Sequence, residues 1–327
     1  MSRLERPRRL RTTSSMRALV REVSLDPSSL MLPLFVREGL DHPRPIVGLP
    51  GVVQHSLSSL ESAVDEARSV GVGSVMLFGV PETRDAEGSE AWNPDGILSR
   101  AIAVARRRVG DDLVVAADLC LDEFTSHGHC GVLDEHGVVD NDRTLDSYAR
   151  MSIVLADAGA HLLGTSGMMD GQVRAVREAL DAAGRVDVAI IAYTAKFASS
   201  FYGPFRAAVE SPLTGDRATY QQDFANVRES MREARLDVGE GADIIMVKPG
   251  LAYLDVLSAI SAAVDVPTAS YIVSGETAMV EAAAATGALD RDRAILEMVT
   301  AVRRAGATVV CTYWAVEVAR RLARSGT

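Results

Sequence analysis

Two lysines are the residues whose type most directly suggests chemistry. The chain has 34 basic residues, and all of them are arginines except Lys196 and Lys248. Arginine and lysine are interchangeable as solvated surface charges, but only lysine can lose its proton and form a Schiff base with a carbonyl group. Codon bias toward arginine explains the arginines but not the two exceptions. The sequence therefore predicts two reactive amines, with two salt-bridged structural lysines as the alternative.

A second group of reactive side chains lies in the stretch ADLCLDEFTSHGHCG, residues 117–131. Cys120, Asp122 and Cys130 follow the spacing C-x-D-x₇-C. Three such ligands leave one position open for water, which suits a catalytic zinc ion, and thiolates favour zinc over magnesium. A loop that contains two unrelated cysteines is the alternative interpretation.

The ends of β-strands are the elements that would position these residues. Apolar, β-rich runs alternate with amphipathic helical stretches, and they predict strands at residues 30–36, 74–80, 113–120, 161–166, 188–196, 242–249, 266–274 and 307–314. Eight strands that alternate with helices predict an α/β fold, a (β/α)₈ TIM barrel, with a doubly wound open sheet as the alternative. Three long non-periodic segments follow strands, where barrel enzymes keep their functional loops: residues 81–97, 121–141 and 198–220.

The barrel prediction places both lysines at one opening. Lys196 and Lys248 stand at the carboxyl ends of the fifth and sixth predicted strands, which would be neighbours about 4.8 Å apart. Burial and a neighbouring positive charge each lower the pKa of a lysine, so we expect amines that are nucleophilic near neutral pH. Asp118, near the end of the third predicted strand, would face the same opening.

Composition excludes several classes of protein. The 327-residue chain is 47% hydrophobic and 24% charged, which is typical of globular proteins, and its net charge of −10 argues against nucleic acid or an anionic membrane as a partner. The sequence contains neither an apolar run of about 18 residues nor the apolar stretch of a secretory signal. Three cysteines, an odd number, fit a reducing compartment, so we expect a cytoplasmic protein.

The N-terminal segment differs from the rest of the chain. Its first 22 residues carry seven arginines against two glutamates, although the whole chain is acidic. This asymmetry predicts an extended N-terminal arm, residues 1–25, that docks on an acidic neighbouring subunit, followed by the barrel domain, residues 26–327. A frayed tail is the alternative.

Longer motifs resemble the porphobilinogen synthase (5-aminolevulinate dehydratase) family over residues 8–322. The motifs are PLFVREG, GSEAWNPDG, TSHGHCG, MMDG, YTAKFASSFYGPFR, GADIIMVKPGLAYLD, VSGE and CTYW. The resemblance implies a (β/α)₈ barrel and a hydro-lyase that condenses two molecules of 5-aminolevulinate to porphobilinogen, with loss of two waters, in tetrapyrrole (heme) biosynthesis.

The resemblance also implies roles for individual residues. Lys196 and Lys248 would each form a Schiff base with one substrate, Lys248 with the one that supplies the propionate side chain, and Asp118 is expected to take part in catalysis. The residues expected to bind substrate are Ser166, a pair for the carboxylate of one substrate (Ser274 and Tyr313), and a group on a lid for the other carboxylate (Arg206, Arg217 and Gln221).

Metal ions and assembly are implied as well. Cys120, Asp122 and Cys130 occupy the active-site metal positions, for which we favour Zn²⁺, and Glu233 aligns with an acidic residue of a separate allosteric Mg²⁺ site. The N-terminal arm resembles the segment that wraps a neighbouring barrel in the homo-octamer of the family. The only other expected partner is the small-molecule substrate.

The chain departs from the usual family pattern at several positions. Gly167 stands where an aspartate is common near the catalytic lysine, and Ala207, Ala218 and Ile272 stand where polar residues are common. These departures leave two alternatives open: a paralogue that makes a different condensation product from 5-aminolevulinate or a related amino ketone, and a non-catalytic relative. A class I aldolase barrel would need just one Schiff-base lysine and leaves the metal cluster unexplained.

Overall fold

Residues 4–325, which the computed structural model describes, form ten β-strands and eleven α-helices. The strands are β1 (Leu30–Arg37), β2 (Arg44–Pro45), β3 (Val53–His55), β4 (Ser74–Val80), β5 (Val114–Leu119), β6 (Leu162–Thr165), β7 (Ala189–Lys196), β8 (Ile244–Lys248), β9 (Thr268–Ile272) and β10 (Val309–Thr312). The helices are α1 (Ser14–Leu19), α2 (Leu57–Ser69), α3 (Ile97–Val109), α4 (Asn141–Asp157), α5 (Gln172–Ala182), α6 (Gly203–Ala208), α7 (Arg228–Glu240), α8 (Leu254–Ser261), α9 (Ser274–Ala285), α10 (Arg291–Arg304) and α11 (Ala315–Ser325).

Eight parallel strands close into a barrel, which confirms the predicted fold. β1 pairs with β4 on one side and with β10 on the other, and each remaining barrel strand pairs in parallel with its neighbours in chain order. The open-sheet alternative is wrong because Leu30 of β1 stands opposite Val310 of β10. All eight predicted strands exist, although the last three predictions extended by one or two residues beyond each end of the strand. The short strands β2 and β3 were not predicted.

Alternating side chains fill the two layers of the core. On each barrel strand one set of apolar residues faces the helices, and the other set fills the barrel interior, for example Met76, Tyr193 and Cys311. Gly164 on β6 leaves room for this packing, because a Cβ atom there would lie 3.0 Å from the ring of Tyr193 and 3.2 Å from the Cε of Met76. The interior is therefore solid below the opening, and any chemistry must occur at the end of the strands.

A β-bulge in β7 determines where Lys196 points. Ile191 and Tyr193 face the barrel interior, so strict alternation would turn Lys196, three residues after Tyr193, toward the helices. The register between β7 and β8 shifts between Ala192 and Ala195, and the extra residue returns Lys196 to the interior, where it stands opposite Lys248.

The segments outside the barrel were predicted with mixed success. The non-periodic segment 198–220 contains a 3₁₀ turn, Ser200–Tyr202, and the six-residue helix α6, which is too short to show helical periodicity in the sequence. None of residues 4–29 is buried in the single chain, which fits a projecting arm and a frayed tail equally. Residues 1–3 of the predicted arm and residues 326–327 of the predicted domain lie outside the described residues. Within residues 4–325 no helix combines the length and the apolar character needed to cross a membrane.

Candidate active site

The two lysines lie together at the carboxyl end of the barrel. Their exposed fractions are only 5% for Lys196 and 4% for Lys248. The Nζ atoms lie 5.8 Å and 5.0 Å, respectively, from the centroid of the same ring, that of Tyr193. The structure thus brings both amines to one opening, as the sequence predicted, and adds a tyrosine beneath them that sequence reasoning missed.

The surroundings of the two amines are different. Lys248 is enclosed by the rings of Tyr202, Phe205 and Tyr271, at 5.6, 5.1 and 4.5 Å from its Nζ. Burial, followed by the charge of Lys196, lowers the pKa of Lys248 to about 8. This agrees with the expectation of a reactive amine.

Lys196 lies on the polar side of the opening. Its Nζ donates a hydrogen bond of 2.6 Å to the carbonyl oxygen of Ser166. Burial lowers the pKa of Lys196, but the neighbouring thiols of Cys130 and Cys120 and the carboxylate of Asp122 outweigh it, so its pKa is raised. The expectation that both lysines have a lowered pKa is therefore wrong for Lys196, because the side chains of Cys130, Cys120 and Asp122 favour its charged form.

Asp118 completes a chain of polar groups that leads to Lys196. Its Oδ2 accepts a hydrogen bond of 3.0 Å from the hydroxyl of Ser166, and its Oδ1 is buried without a partner among the described residues. Burial raises the pKa of Asp118 to about 6, although the two lysines act in the opposite direction. A carboxyl group with such a pKa can hold or release a proton near neutral pH.

Cys120, Asp122 and Cys130 converge as the spacing predicted. One ligand atom from each lies within 4.8 Å of the others, and all three side chains are buried. Burial opposes ionisation of Cys130, but a hydrogen bond from Cys120 and the charge of Arg217 lower its pKa to about 7. The site thus offers two sulfurs and a carboxylate, and the thiol of Cys130 ionises readily. This ligand set fits a zinc ion with an open coordination position.

Arg217 forms a buried ion pair with the predicted metal ligand Asp122. Its Nη2 lies 2.8 Å from the Oδ2 of Asp122 and donates a second hydrogen bond, of 2.9 Å, to the carbonyl oxygen of Gly128. Burial would raise the pKa of Asp122, but Arg217 and then Lys196 hold it well below its usual range. A carboxylate has two oxygens, so Asp122 can hold Arg217 through one and still offer the other to a metal.

Tyr148 occupies the space beside Gly167. It is fully buried, and its hydroxyl contacts the carbonyl oxygen of Cys130 and lies 3.9 Å from the Sγ of Cys120. A Cβ atom on Gly167 would lie 2.0 Å from this hydroxyl oxygen. Tyr148 therefore fills the volume that a side chain at position 167 would need, and it lies against the residues of both predicted thiolate ligands.

The predicted substrate-binding residues fall into three situations. Arg217 and Gln221 each have a buried donor, Nε and Nε2 respectively, that lacks a hydrogen-bond partner among the described residues. Ser274 and Tyr313 are bonded to two residues whose rings enclose Lys248. Ser274 accepts from the backbone N–H of Phe205 at 2.9 Å, and the hydroxyl of Tyr313 lies 3.1 Å from that of Tyr271. Arg206, on α6, is exposed.

A carboxylate that was not predicted supports the loop after Lys248. The buried side chain of Glu276, at the start of α9, accepts hydrogen bonds from four backbone N–H groups, those of Gly250, Leu251, Ala252 and Val273. An acidic residue in the first turn of a helix is a capping signal, which is the clue that the sequence offers.

Glu233, the predicted ligand of an allosteric Mg²⁺ ion, lies among other carboxylates. It stands on α7, outside the barrel, and lines a cavity of about 440 Å³ together with Asp170 and Glu229. Burial and these neighbouring carboxylates, Asp170 before Glu229, raise the pKa of Glu233. The surroundings of Glu233 are therefore acidic.

Comparison with known proteins agrees with this arrangement. The family model described as delta-aminolevulinic acid dehydratase matches residues 4–321. The chain belongs to the delta-aminolevulinic acid dehydratase family. It is 60% identical over 319 residues to the delta-aminolevulinic acid dehydratase of Streptomyces coelicolor, covering 97% of each chain, and 56% identical over 317 residues to that of Mycobacterium tuberculosis, covering 96% of each.

A solved structure extends the likeness to three dimensions. It is the delta-aminolevulinic acid dehydratase (porphobilinogen synthase) of Toxoplasma gondii ME49, in complex with the reaction product porphobilinogen. The TM-score is 0.95 at 45% sequence identity, and the match covers 98% of this chain and 92% of that chain. The dehydratase family and the barrel fold are thus established for this chain.

We predict that the Arg217–Asp122 ion pair stabilises the folded chain. Arg217→Met leaves a buried, unpaired carboxylate and should lower the free energy of unfolding by about 3–5 kcal/mol, whereas Arg206→Met, on the exposed part of the same lid, should change it by less than about 0.5 kcal/mol. Urea unfolding at fixed protein concentration measures both. Adding Asp122→Asn to Arg217→Met should recover part of the loss, and equal effects of the two arginine variants would contradict the prediction.

Proposed function

We propose that this chain is a porphobilinogen synthase that condenses two molecules of 5-aminolevulinate to porphobilinogen with loss of two waters. The observation that carries the proposal is the pairing of two buried lysines, Lys196 and Lys248, directly opposite each other on neighbouring strands. One amine would suffice for an aldolase, whereas two side by side can hold two ketones at once. The product is a pyrrole for tetrapyrrole biosynthesis, which we expect to proceed in the cytoplasm, where the free cysteines would stay reduced.

Each lysine would activate one substrate molecule. A neutral amine adds to the keto carbon, and the ketone oxygen leaves as water, so the two Schiff bases account for both lost waters. Formation of the carbon–carbon and carbon–nitrogen bonds of the pyrrole then releases both lysines as amines. Lys248, whose pKa is about 8, has a sizeable neutral fraction near neutral pH, and Asp118, beside Ser166, would accept or return protons near Lys196.

The carboxylates of the substrates would be held at the two sides of the opening. Arg217 and Gln221 have buried donors that lack partners among residues 4–325, and a carboxylate would satisfy both. Arg206 would join them when its helix approaches the substrate. On the other side, the hydroxyls of Ser274 and Tyr313, near the aromatic rings around Lys248, would bind the second carboxylate.

A zinc ion would be held by Cys120, Asp122 and Cys130. Bound there, it would supply a Lewis acid that polarises an oxygen or nitrogen atom of the substrate. The ligands lie beside Lys196, whose pKa already depends on these three side chains. Glu233 would contribute to a separate Mg²⁺ site, because its cavity is lined by further carboxylates.

The proposal predicts a defined product. Purified protein incubated with 5-aminolevulinate and zinc should give a pyrrole that reacts with Ehrlich's reagent and has the mass of two substrates minus two waters. A chelator should abolish product formation, zinc should restore it, and added Mg²⁺ should stimulate the wild type but not Glu233→Ala. Lack of any pyrrole with either metal would refute the proposal, and a product of another mass would favour the paralogue with altered chemistry.

The pKa of Lys248 predicts a pH dependence. The group reacts as the neutral amine, so the rate at which borohydride traps substrate on Lys248 should rise about tenfold per pH unit below pH 8 and level off above it. Peptide mapping after brief trapping between pH 6 and 10 measures this rate, and circular dichroism over the same range controls for unfolding. A midpoint near the ordinary lysine value of about 10.4 would contradict the prediction.

The N-terminal arm would hold a homo-octamer together. Residues 4–25 include the apolar side chains of Leu4, Leu10 and Leu19, which are 65%, 49% and 79% exposed in the single chain. Exposed apolar groups beside many arginines suit an acidic neighbouring subunit. Deletion of residues 1–25 should therefore reduce the octamer to smaller assemblies in analytical ultracentrifugation. An unchanged mass per assembly would identify the segment as a tail.

A further inference from the structure

The outward-facing part of the β7 bulge is bonded to a helix outside the barrel. The hydroxyl of Thr194, which is buried, donates a hydrogen bond of 2.6 Å to the Oδ2 of Asp237 on α7 and lies 3.4 Å from the carbonyl oxygen of Ala192. Ala192 and Ala195 flank the register shift, so the hydroxyl sits at the irregular part of the strand. Asp237 has no role in the chemistry described above.

A second set of hydrogen bonds reaches the same bulge from the end of the lid. The Nε2 of Gln222 donates to the carbonyl oxygen of Thr194 at 3.1 Å, and its Oε1 accepts from the hydroxyl of Ser230 at 2.6 Å. The backbone N–H of Gln222 also donates to the carbonyl oxygen of Lys196 at 3.0 Å. Gln222 therefore contacts both the bulge and the main chain of Lys196, whose orientation the bulge determines.

Helix α7 presents these contacts from one side. Ser230 and Asp237 are seven residues apart, which is two helical turns, so both project toward β7. Ser230 and Gln222 are buried, with exposed fractions of 0% and 3%. We define Thr194, Gln222, Ser230 and Asp237 as the bulge brace.

The bulge is needed because a regular strand would misdirect Lys196. A slip of one residue moves every following side chain to the opposite face of a sheet. In β7 the register without the bulge would pair β7 with β8 continuously but would turn Lys196 away from Lys248. Main-chain pairing alone therefore does not select the bulged register. The bonds from Gln222 favour it, because they satisfy the carbonyl oxygens of Thr194 and Lys196 at the irregular part of the strand, and the bond from the Thr194 hydroxyl to Asp237 anchors the same segment on α7.

We propose that Thr194, Gln222 and Asp237 are positioning residues for Lys196, which they hold at the barrel opening by stabilising the bulge in β7. The inference rests on the proposed function, in which Lys196 forms a Schiff base. It adds that the orientation of this amine is set from outside the barrel, by residues that touch no substrate. Lys248 lies on a regularly alternating strand and does not depend on the brace.

The difference between the two lysines provides the test. Full-length wild type and variants are incubated with 5-aminolevulinate, reduced with borohydride and mapped by mass spectrometry, so that the adducts on Lys196 and Lys248 are quantified in one sample. Thr194→Val and Asp237→Ala should lower the yield on Lys196 relative to Lys248 by about 10- to 100-fold, the scale expected for a small misplacement of a reacting group. The matched variants Thr194→Ser and Asp237→Asn, which keep a donor and an acceptor, should stay near the wild-type ratio.

Combining the variants tests whether the residues act as a unit. Thr194→Val with Asp237→Ala should lower the Lys196 yield no further than either change alone, since each already removes the shared hydrogen bond. An unchanged ratio of the Lys196 and Lys248 adducts in the single variants overturns the inference. An equal loss of adduct on both lysines also overturns it, because general destabilisation of the protein produces that result.

A crystal structure of Thr194→Val keeps the inference testable if the proposed function fails. If wild type forms no adduct on either lysine, the proposed function is refuted, and the position of Lys196 in this variant then decides the inference. A lost bulge and a broken contact between the Lys196 Nζ and the Ser166 oxygen support it. A retained contact at 2.6 Å, the wild-type distance, overturns it.

Discussion

The burial of two amines side by side is the constraint on which the rest of the site depends. Two ammonium groups on facing positions of neighbouring strands repel each other, and burial removes the water that would screen them. The two amines have different surroundings, which reduces this repulsion. Lys196 lies among a carboxylate, two thiols and a backbone oxygen, whereas Lys248 lies among aromatic rings. The amines are therefore chemically distinct although they occupy equivalent positions on their strands.

Asp122 connects three parts of the site that are separate in sequence. It is one of the three metal-binding candidates, it pairs with Arg217 of the lid, and its charge raises the pKa of Lys196. A cysteine at this position would bind zinc more strongly but could not also accept the planar guanidinium of Arg217 through a second oxygen. The ion pair of Arg217 is therefore formed with one of the three candidate metal-binding side chains.

The departure from the family pattern at Gly167 is accommodated by a neighbouring side chain. The absent side chain at Gly167 coincides with the hydroxyl of Tyr148, which reaches the carbonyl oxygen of Cys130 and lies near the sulfur of Cys120. Because the volume is filled and the tyrosine is buried against the ligands, this departure leaves the pocket packed. It is compatible with the same overall reaction, and product mass distinguishes that reaction from an altered one.

Support from outside the barrel recurs around the opening. Glu276 binds the backbone after Lys248, and the bulge brace binds the backbone before Lys196. In both cases a buried polar side chain satisfies main-chain groups that an irregular segment leaves without partners. Reactive groups at the end of a barrel strand need such support, because the regular hydrogen bonds of the sheet stop there.

The sequence by itself determined the barrel, the two unusual lysines and the Cys–Asp–Cys triad, because apolar periodicity and residue type are local properties. Only the tertiary structure decided that β7 carries a bulge, that Arg217 rests on Asp122 and that Tyr148 fills the space beside Gly167. Regular alternation along β7, counted from the inward-facing Tyr193, would have turned Lys196 toward the helices. These features depend on contacts between segments that are far apart in the chain, and the physical reason is that volume, charge and register are matched only when the barrel closes.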